Sequence, residues 1–235
     1  MSDPMAPVFL LDVDNTLIDN DSIGEDLMKH LDANFGRERR DAYKAILEEL
    51  RDQLGYVDYL GAMQRYRMLD IDDPHMLEIS TFLIDYPFHT RLFPGALDVI
   101  RMLSTIGTPV VLSDGDVVFQ PRKIKKSGIW DAVGGRVLIY IHKEHKLASM
   151  KARFPSAHYV MIDDKVRILH AMKGALGAGL TTVFPRQGHY AKDPKELAKY
   201  PSPDISIDGI GDLLTAPAQA ELRAALAYHA AKEST

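Results

Sequence analysis

Short runs of apolar and β-branched residues recur at Val8–Leu11, 110–112, 137–141, Tyr159–Ile162, 181–184 and Ile205–Ile207, mostly separated by stretches long enough to hold a helix. That alternation predicts a parallel sheet with helical crossovers. The run Arg136-Val137-Leu138-Ile139-Tyr140-Ile141 is continuously apolar after its arginine, as expected of a strand covered on both faces. Between 94 and 107 a helix is marked at both ends: Pro94 opens it, Val99, Ile100, Leu103 and Ile106 supply its apolar side, and Gly107 stops it before Pro109.

From about 22 to 86 the strand pattern lapses and only helical periods remain. Tyr43, Ile46, Leu47 and Leu50 fall at i, i+3, i+4 and i+7, and Asp73-Pro74 reads as an N-cap followed by a first-turn proline. An all-helical insertion entering directly after the first strand could fold over the carboxyl ends of the strands, where open α/β sheets place their ligands. The alanine-rich stretch 216–231, with Leu222 and Leu226 on one face, predicts a docked final helix. The expected fold is therefore α/β, a Rossmann-like, doubly wound parallel sheet core (1–20 and 88–235) carrying a helical cap (21–87).

The first strand leads into Asp12-Val13-Asp14-Asn15-Thr16. Residues i and i+2 of a strand project to one side, so Asp12 and Asp14 start close together. At about 4 Å their repulsion is roughly 4 kcal/mol at an effective dielectric near 20, which calls for a cation, a shared proton or both. Other predicted strands end in polar groups too: Ser113-Asp114-Gly115, His142-Lys143 and Asp163-Asp164.

Composition narrows the partners. The 235 residues are 46% hydrophobic and 26% charged, enough for one globular unit with a real core. A net charge of −5 argues against nucleic acid and anionic membrane. The absence of cysteine removes disulfides, thiolate nucleophiles and zinc–thiolate sites, and suits a reducing compartment, the cytoplasm by default. Residues 1–7 show no signal-peptide pattern and no apolar run approaches the ~20 residues of a membrane span, so a soluble protein is expected.

Taken in order, these pieces resemble the haloacid dehalogenase superfamily. Asp12-Val13-Asp14-Asn15-Thr16-Leu17 is similar to its D-x-D-x-T motif, Ser113 closes a strand like its second motif, Lys143 resembles the third and Asp163-Asp164 the acidic fourth. Phe93-Pro94-Gly95-Ala96, a helix and Gly107 resemble the approach to the second motif. The resemblance implies a helical cap between the first and second motifs, matching the insertion read from periodicity.

It also implies roles. Asp12 is the nucleophile, and Asp14 the acid that protonates the leaving group and then the base that activates water. Ser113 and Lys143 hold phosphate oxygens. Asp114 is grouped with them, although many relatives carry asparagine there, and it either faces away or contacts a substrate donor. Lys143 is preferred to Lys146 because it directly follows the strand. Magnesium suits Asp12, the Asp14 backbone carbonyl and Asp164, with Asp163 as assistant or alternative. Lys165-Val166-Arg167-Ile168 offers no acid at the usual positions after the fourth motif.

The expected activity is a magnesium-dependent phosphatase acting on a small phosphorylated metabolite. Asp14 argues against carbon–halogen cleavage, which does not need the second aspartate. A phosphomutase would use the same aspartates, and a receiver-like phospho-acceptor is disfavoured because its acidic pair precedes the phosphorylated residue. A zinc site at His142, His145, His158, His170 or His189 lacks any accompanying H-E-x-x-H or cysteine cluster. Arg122, Lys123, Lys125 and Lys126 read as a solvated helix face, and Arg186 is a weak candidate for substrate contact.

Overall fold

The computed structural model describes residues 6–69, 71, 72 and 76–233. Six parallel strands form one sheet: β1 (Val8–Leu11), β2 (Thr108–Asp114), β3 (Val137–Tyr140), β4 (Tyr159–Ile162), β5 (Leu180–Pro185) and β6 (Ile205–Ile207), in the order β3-β2-β1-β4-β5-β6. Every expected strand is present. The order reverses at β1, whose neighbours are β2 and β4, so the carboxyl end of β1 lies at the switch point where such sheets bind ligands.

The two sheet faces follow the period of two. Phe9, Leu11, Val111, Val160 and Ile162 join one apolar cluster, and Val8, Leu10, Val110, Leu112 and Met161 the other. β1 and β4 are buried throughout. β3 departs from the expectation of cover on both faces: it is the sheet edge, only Leu138 is fully buried within it, and Ile141 falls outside it at 54% exposure. A continuous apolar run marked a strand correctly but not its place in the sheet.

Between β1 and β2 the chain forms α1 (Asn20–Phe35), α2 (Arg37–Leu54), α3 (Tyr59–Arg67) and α4 (Met76–Asp85). The expected cap pair Asp73-Pro74 lies outside the described residues. Tyr43, Leu47 and Leu50 are buried on α2, as their spacing requires. These helices share one apolar cluster with the sheet. Rings carry the join: Phe119 stands edge-on to Tyr59 of α3 at 5.6 Å and to Phe88 at 5.6 Å.

After β1 and its helical insertion come α5 (Ala96–Ser104), α6 (Phe119–Lys126), α7 (Ile129–Ala132), α8 (Leu147–Arg153), α9 (Val166–Leu176), α10 (Pro194–Leu197) and α11 (Ala216–Glu233). α5 starts two residues after Pro94 because Gly95, at φ +79°, turns the chain first. Gly107 is required by proximity rather than by a left-handed stop: a Cβ there would lie 2.3 Å from the Pro7 carbonyl oxygen. α11 docks through Ala218 and Leu222. Among the described residues no helix is long and apolar enough to cross a membrane.

Candidate active site

β1 delivers Asp12 to the sheet's carboxyl edge, where its backbone N–H still donates to Ile162 at 3.0 Å. The chain then turns sharply. Leu17 and Ile18 both donate to the Val13 carbonyl at 2.9 Å, and Asn15 adopts φ +60°. Such a left-handed conformation is tolerated by asparagine and fixed here by its side chain, whose Oδ1 accepts from the Asn20 N–H at 3.0 Å. Gly188 closes against this turn, since a Cβ on it would lie 2.5 Å from the Asn15 Cβ.

Asp12 is buried, and the Lys143 ammonium binds it; the same ammonium lies 2.7 Å from Asp163 and donates to the Leu112 carbonyl at 3.2 Å. Lys146 is exposed and Lys143 is the lysine that reaches the aspartates. Asp163 also accepts from the Lys165 N–H at 2.8 Å, and the Thr16 hydroxyl accepts from the Asp164 N–H at 3.0 Å. The Asp164 carboxylate itself is 0% exposed and neither oxygen has a hydrogen-bond partner. Leaving a carboxylate so is costly unless a cation or proton meets it.

The electrostatics agree. Burial raises the Asp12 pKa to about 7, with Asp163 and Asp14 adding to it against the pull of Lys143 and Lys165. Burial likewise pushes Asp164 well above its ordinary value, reinforced by Asp163 and Asp12. Burial would lower Lys143, but Asp12, Asp163 and Asp114 overcome it and hold the ammonium charged. Asp12, Asp163 and Asp164 can each place one oxygen within 4.8 Å of the others. Three buried carboxylates against the two ammonium groups of Lys143 and Lys165 still leave a negative excess, and their hard oxygens with two orphaned atoms fit a magnesium ion.

Asp14 occupies a different environment. Its Oδ1 is 2.5 Å from the Lys123 ammonium, which also donates to Asn20 Oδ1 at 2.9 Å, and its Oδ2 accepts from Gln120 at 3.3 Å. Gln120 further donates to the Ser113 hydroxyl at 2.9 Å. The reading of Lys123 as part of a solvated helix face is corrected here: its side chain is only 2% exposed. The basic cluster divides three ways, for Arg122 and Lys126 pair with Asp85 at 3.0 and 2.8 Å and Lys125 lies over Trp130. The missed signal was periodic: Lys123 stands four residues after Phe119 and beside Ile124, on the buried side of α6.

The other candidates settle around these two centres. Asp114 accepts from the Lys143 backbone N–H at 2.7 Å, so it fixes the loop carrying that lysine, and it also lines the cleft. The cleft is about 30 Å³, lined by Asp12, Asp14, Asp114, Lys165, His189 and Tyr190 among others. Arg186 instead pairs with Asp208 at 2.9 Å. His142 and His145 hold their rings 5.8 Å apart, and the group of three prospective metal ligands found among the described residues contains only aspartates.

No protein-family model matches the chain, nor does any curated protein sequence. Solved structures do. A protein from Burkholderia xenovorans, described as a haloacid dehalogenase-like hydrolase, is 58% identical over 89% of this chain and 98% of its own, with a TM-score of 0.86. Two others share the fold at lower identity. A HAD-hydrolase from Bacillus subtilis bound to magnesium is 17% identical, covering 89% and 97% at a TM-score of 0.60. An L-2-haloacid dehalogenase from Xanthobacter autotrophicus is 16% identical, with coverage of 89% and 97% and a TM-score of 0.56.

Proposed function

Because the chain belongs to the haloacid dehalogenase-like hydrolases, we propose that it is a magnesium-dependent phosphohydrolase cleaving a small phosphorylated metabolite through an aspartyl-phosphate. The carrying observation is that Asp12 and Asp14 share one cleft yet sit in separate environments, Asp12 among buried acids with Lys143 and Asp14 against Lys123 and Gln120. Carboxylates kept apart in this way can divide nucleophilic and acid–base work. Residues 21–87 are read as the cap over this cleft.

Asp12 attacks phosphorus while Asp14 protonates the departing oxygen; Asp14 then takes a proton from water as that water attacks the acyl phosphate, regenerating Asp12 and releasing phosphate. Lys143 and the Ser113 hydroxyl meet charge on the phosphoryl oxygens. Asp12, the Asp14 carbonyl and Asp164, with Asp163 in support, would hold magnesium, whose contribution is charge neutralisation and orientation of the phosphoryl group.

The deciding experiment is phosphate release from sugar phosphates, nucleotides and phosphorylated acids, with and without magnesium. Wild type is expected to turn over at least one class, and Asp12→Asn none. Activity that survives chelation or Asp12→Asn defeats the mechanism. Since one fold relative is an L-2-haloacid dehalogenase, halide release from 2-chloropropionate belongs beside it; halide without phosphate would transfer the reading to that chemistry. Phosphate transferred to a second sugar phosphate would identify a mutase.

A further inference from the structure

The cleft at Asp12 has room for little beyond a phosphoryl group, about 30 Å³, whereas a cavity of about 400 Å³ adjoins it, with Lys165 and Tyr190 lining both. Lys165 answers to the acids of the cleft: burial would lower its pKa, but Asp164, Asp12 and Asp163 outweigh that and raise it. The unmet group of the larger space is Glu144.

Glu144 is placed by the turn that places Lys143. His142 leaves β3 in a left-handed conformation at φ +56°, and residues 143–145 form one turn of 3₁₀ helix. Adjacent side chains diverge by about 120° in such a turn, so Lys143 enters the acid cluster while Glu144 lines the neighbouring cavity. The Glu144 side chain is 4% exposed; its Oε1 accepts from Arg167 at 2.7 Å, and its Oε2 is buried with no hydrogen-bond partner. Burial would raise its pKa, but the hydrogen bond from Arg167 and its charge hold the carboxyl below its ordinary value, so the group is ionised and can only accept. A buried acceptor without a donor carries its full desolvation cost.

Arg167 already matches the charge of Glu144, so what Oε2 lacks is a donor rather than a cation. An ammonium brought there would also stand among Lys165 and Arg167. The rest of the wall suits hydroxyls, which both give and take: Tyr190 presents a ring face, and His142 and His145 present ring nitrogens. A second cavity, about 330 Å³ and walled by α1 and α2, reaches the cleft through Asn20, Val57 and His189. There Glu48 pairs with Arg51 at 2.5 Å, and among the described residues no side chain lining it holds a buried unpartnered polar atom.

We infer that the larger cavity takes the leaving group and that Glu144 selects it: the substrate is the phosphate ester of a neutral polyol, one of whose hydroxyls donates to Glu144 Oε2. The inference rests on the phosphohydrolase reading for the phosphoryl end alone.

The test is calorimetric titration, with magnesium present, of three ligands of equal chain length that resist hydrolysis: butylphosphonate, 4-aminobutylphosphonate and 2,3,4-trihydroxybutylphosphonate. Wild type should bind the triol about tenfold or more tighter than butylphosphonate, the scale of one hydrogen bond to a charged group, and tighter than the amine. Glu144→Gln, whose amide oxygen stays with Arg167 and leaves an NH₂ in place of Oε2, and Glu144→Leu should each abolish that advantage. Glu48→Gln, in the second cavity, should retain it. Equal wild-type affinity for butylphosphonate and the triol overturns the inference without recourse to any variant, as does a preference for the amine. A triol preference that survives both Glu144 variants, or that is lost in Glu48→Gln, overturns it too. A Glu144-dependent triol preference in a protein that hydrolyses no phosphomonoester would leave the subsite standing and remove the phosphohydrolase reading alone, whereas failure of all three ligands to bind would remove both.

Discussion

Asp164 concentrates the site's energetic problem in one side chain: it is fully buried, raised in pKa by burial, and unpartnered at both oxygens. Removing its charge should relieve the metal-free protein. Asp164→Asn is therefore expected to melt higher than wild type in chelator, by about 1–3 kcal/mol or several degrees. It should also lose most of the stabilisation that magnesium gives wild type, about 2.7 kcal/mol at a hundredfold excess over Kd. Scanning calorimetry with and without magnesium checks both arms, and a variant less stable than wild type in chelator contradicts the account. Lys123 poses the converse case. Lys123→Met leaves Asp14 to Gln120 alone, and kcat should fall by about tenfold or more, since a positioned acid–base group contributes about 10²–10⁴. Steady-state kinetics on the substrate found by screening reads this directly.

At the scale of elements, the turn after β1 depends on the fit between Asn15 and Gly188. Gly188→Ala must place a methyl group against Asn15 at a backbone φ of +69°, so it should destabilise by more than about 1 kcal/mol and lower the melting temperature by at least about 2–4 °C. The strands, the helical insertion and the acids of the site were legible because each left a local mark: an apolar run, a helical period, a carboxylate at a strand end. Lys123 and Gln120 were not. Their role depends on α6 being rolled with Phe119 inward, and a lysine on a buried helix face is indistinguishable by composition from its solvated neighbours Arg122 and Lys126. The edge position of β3 was hidden for a related reason, since strand order arises from crossovers and not from the run itself.

At the scale of the molecule, the start of the insertion is tied to the segment where the chain leaves it by Asp26 of α1, which accepts from Tyr86 at 2.5 Å and pairs with Arg91; Arg91 in turn donates to the Tyr86 hydroxyl at 2.7 Å. Burial pulls Asp26 upward, but the Tyr86 and Arg91 contacts outweigh it and hold the carboxyl below its ordinary range. A lowered folded-state pKa contributes stability above the unfolded value near 4 that disappears as pH falls through the folded value. Wild type should thus be more stable than Asp26→Asn at neutral pH, by less than about 1 kcal/mol because the pair is partly solvated. The gap should close as pH drops below about 4; a constant gap in thermal melts from pH 7 to pH 2 would contradict this.

Phe119 meets both Tyr59 of the insertion and Phe88 at its return, and one turn further along the same helix Lys123 grips Asp14. In the proposed reading, the cap thus rests on the helix that aims the proton donor. A loosened cap would not merely admit water; it would detune the chemistry beneath it. Tyr59→Ala, which touches no reacting atom, should therefore register in kcat more than in KM.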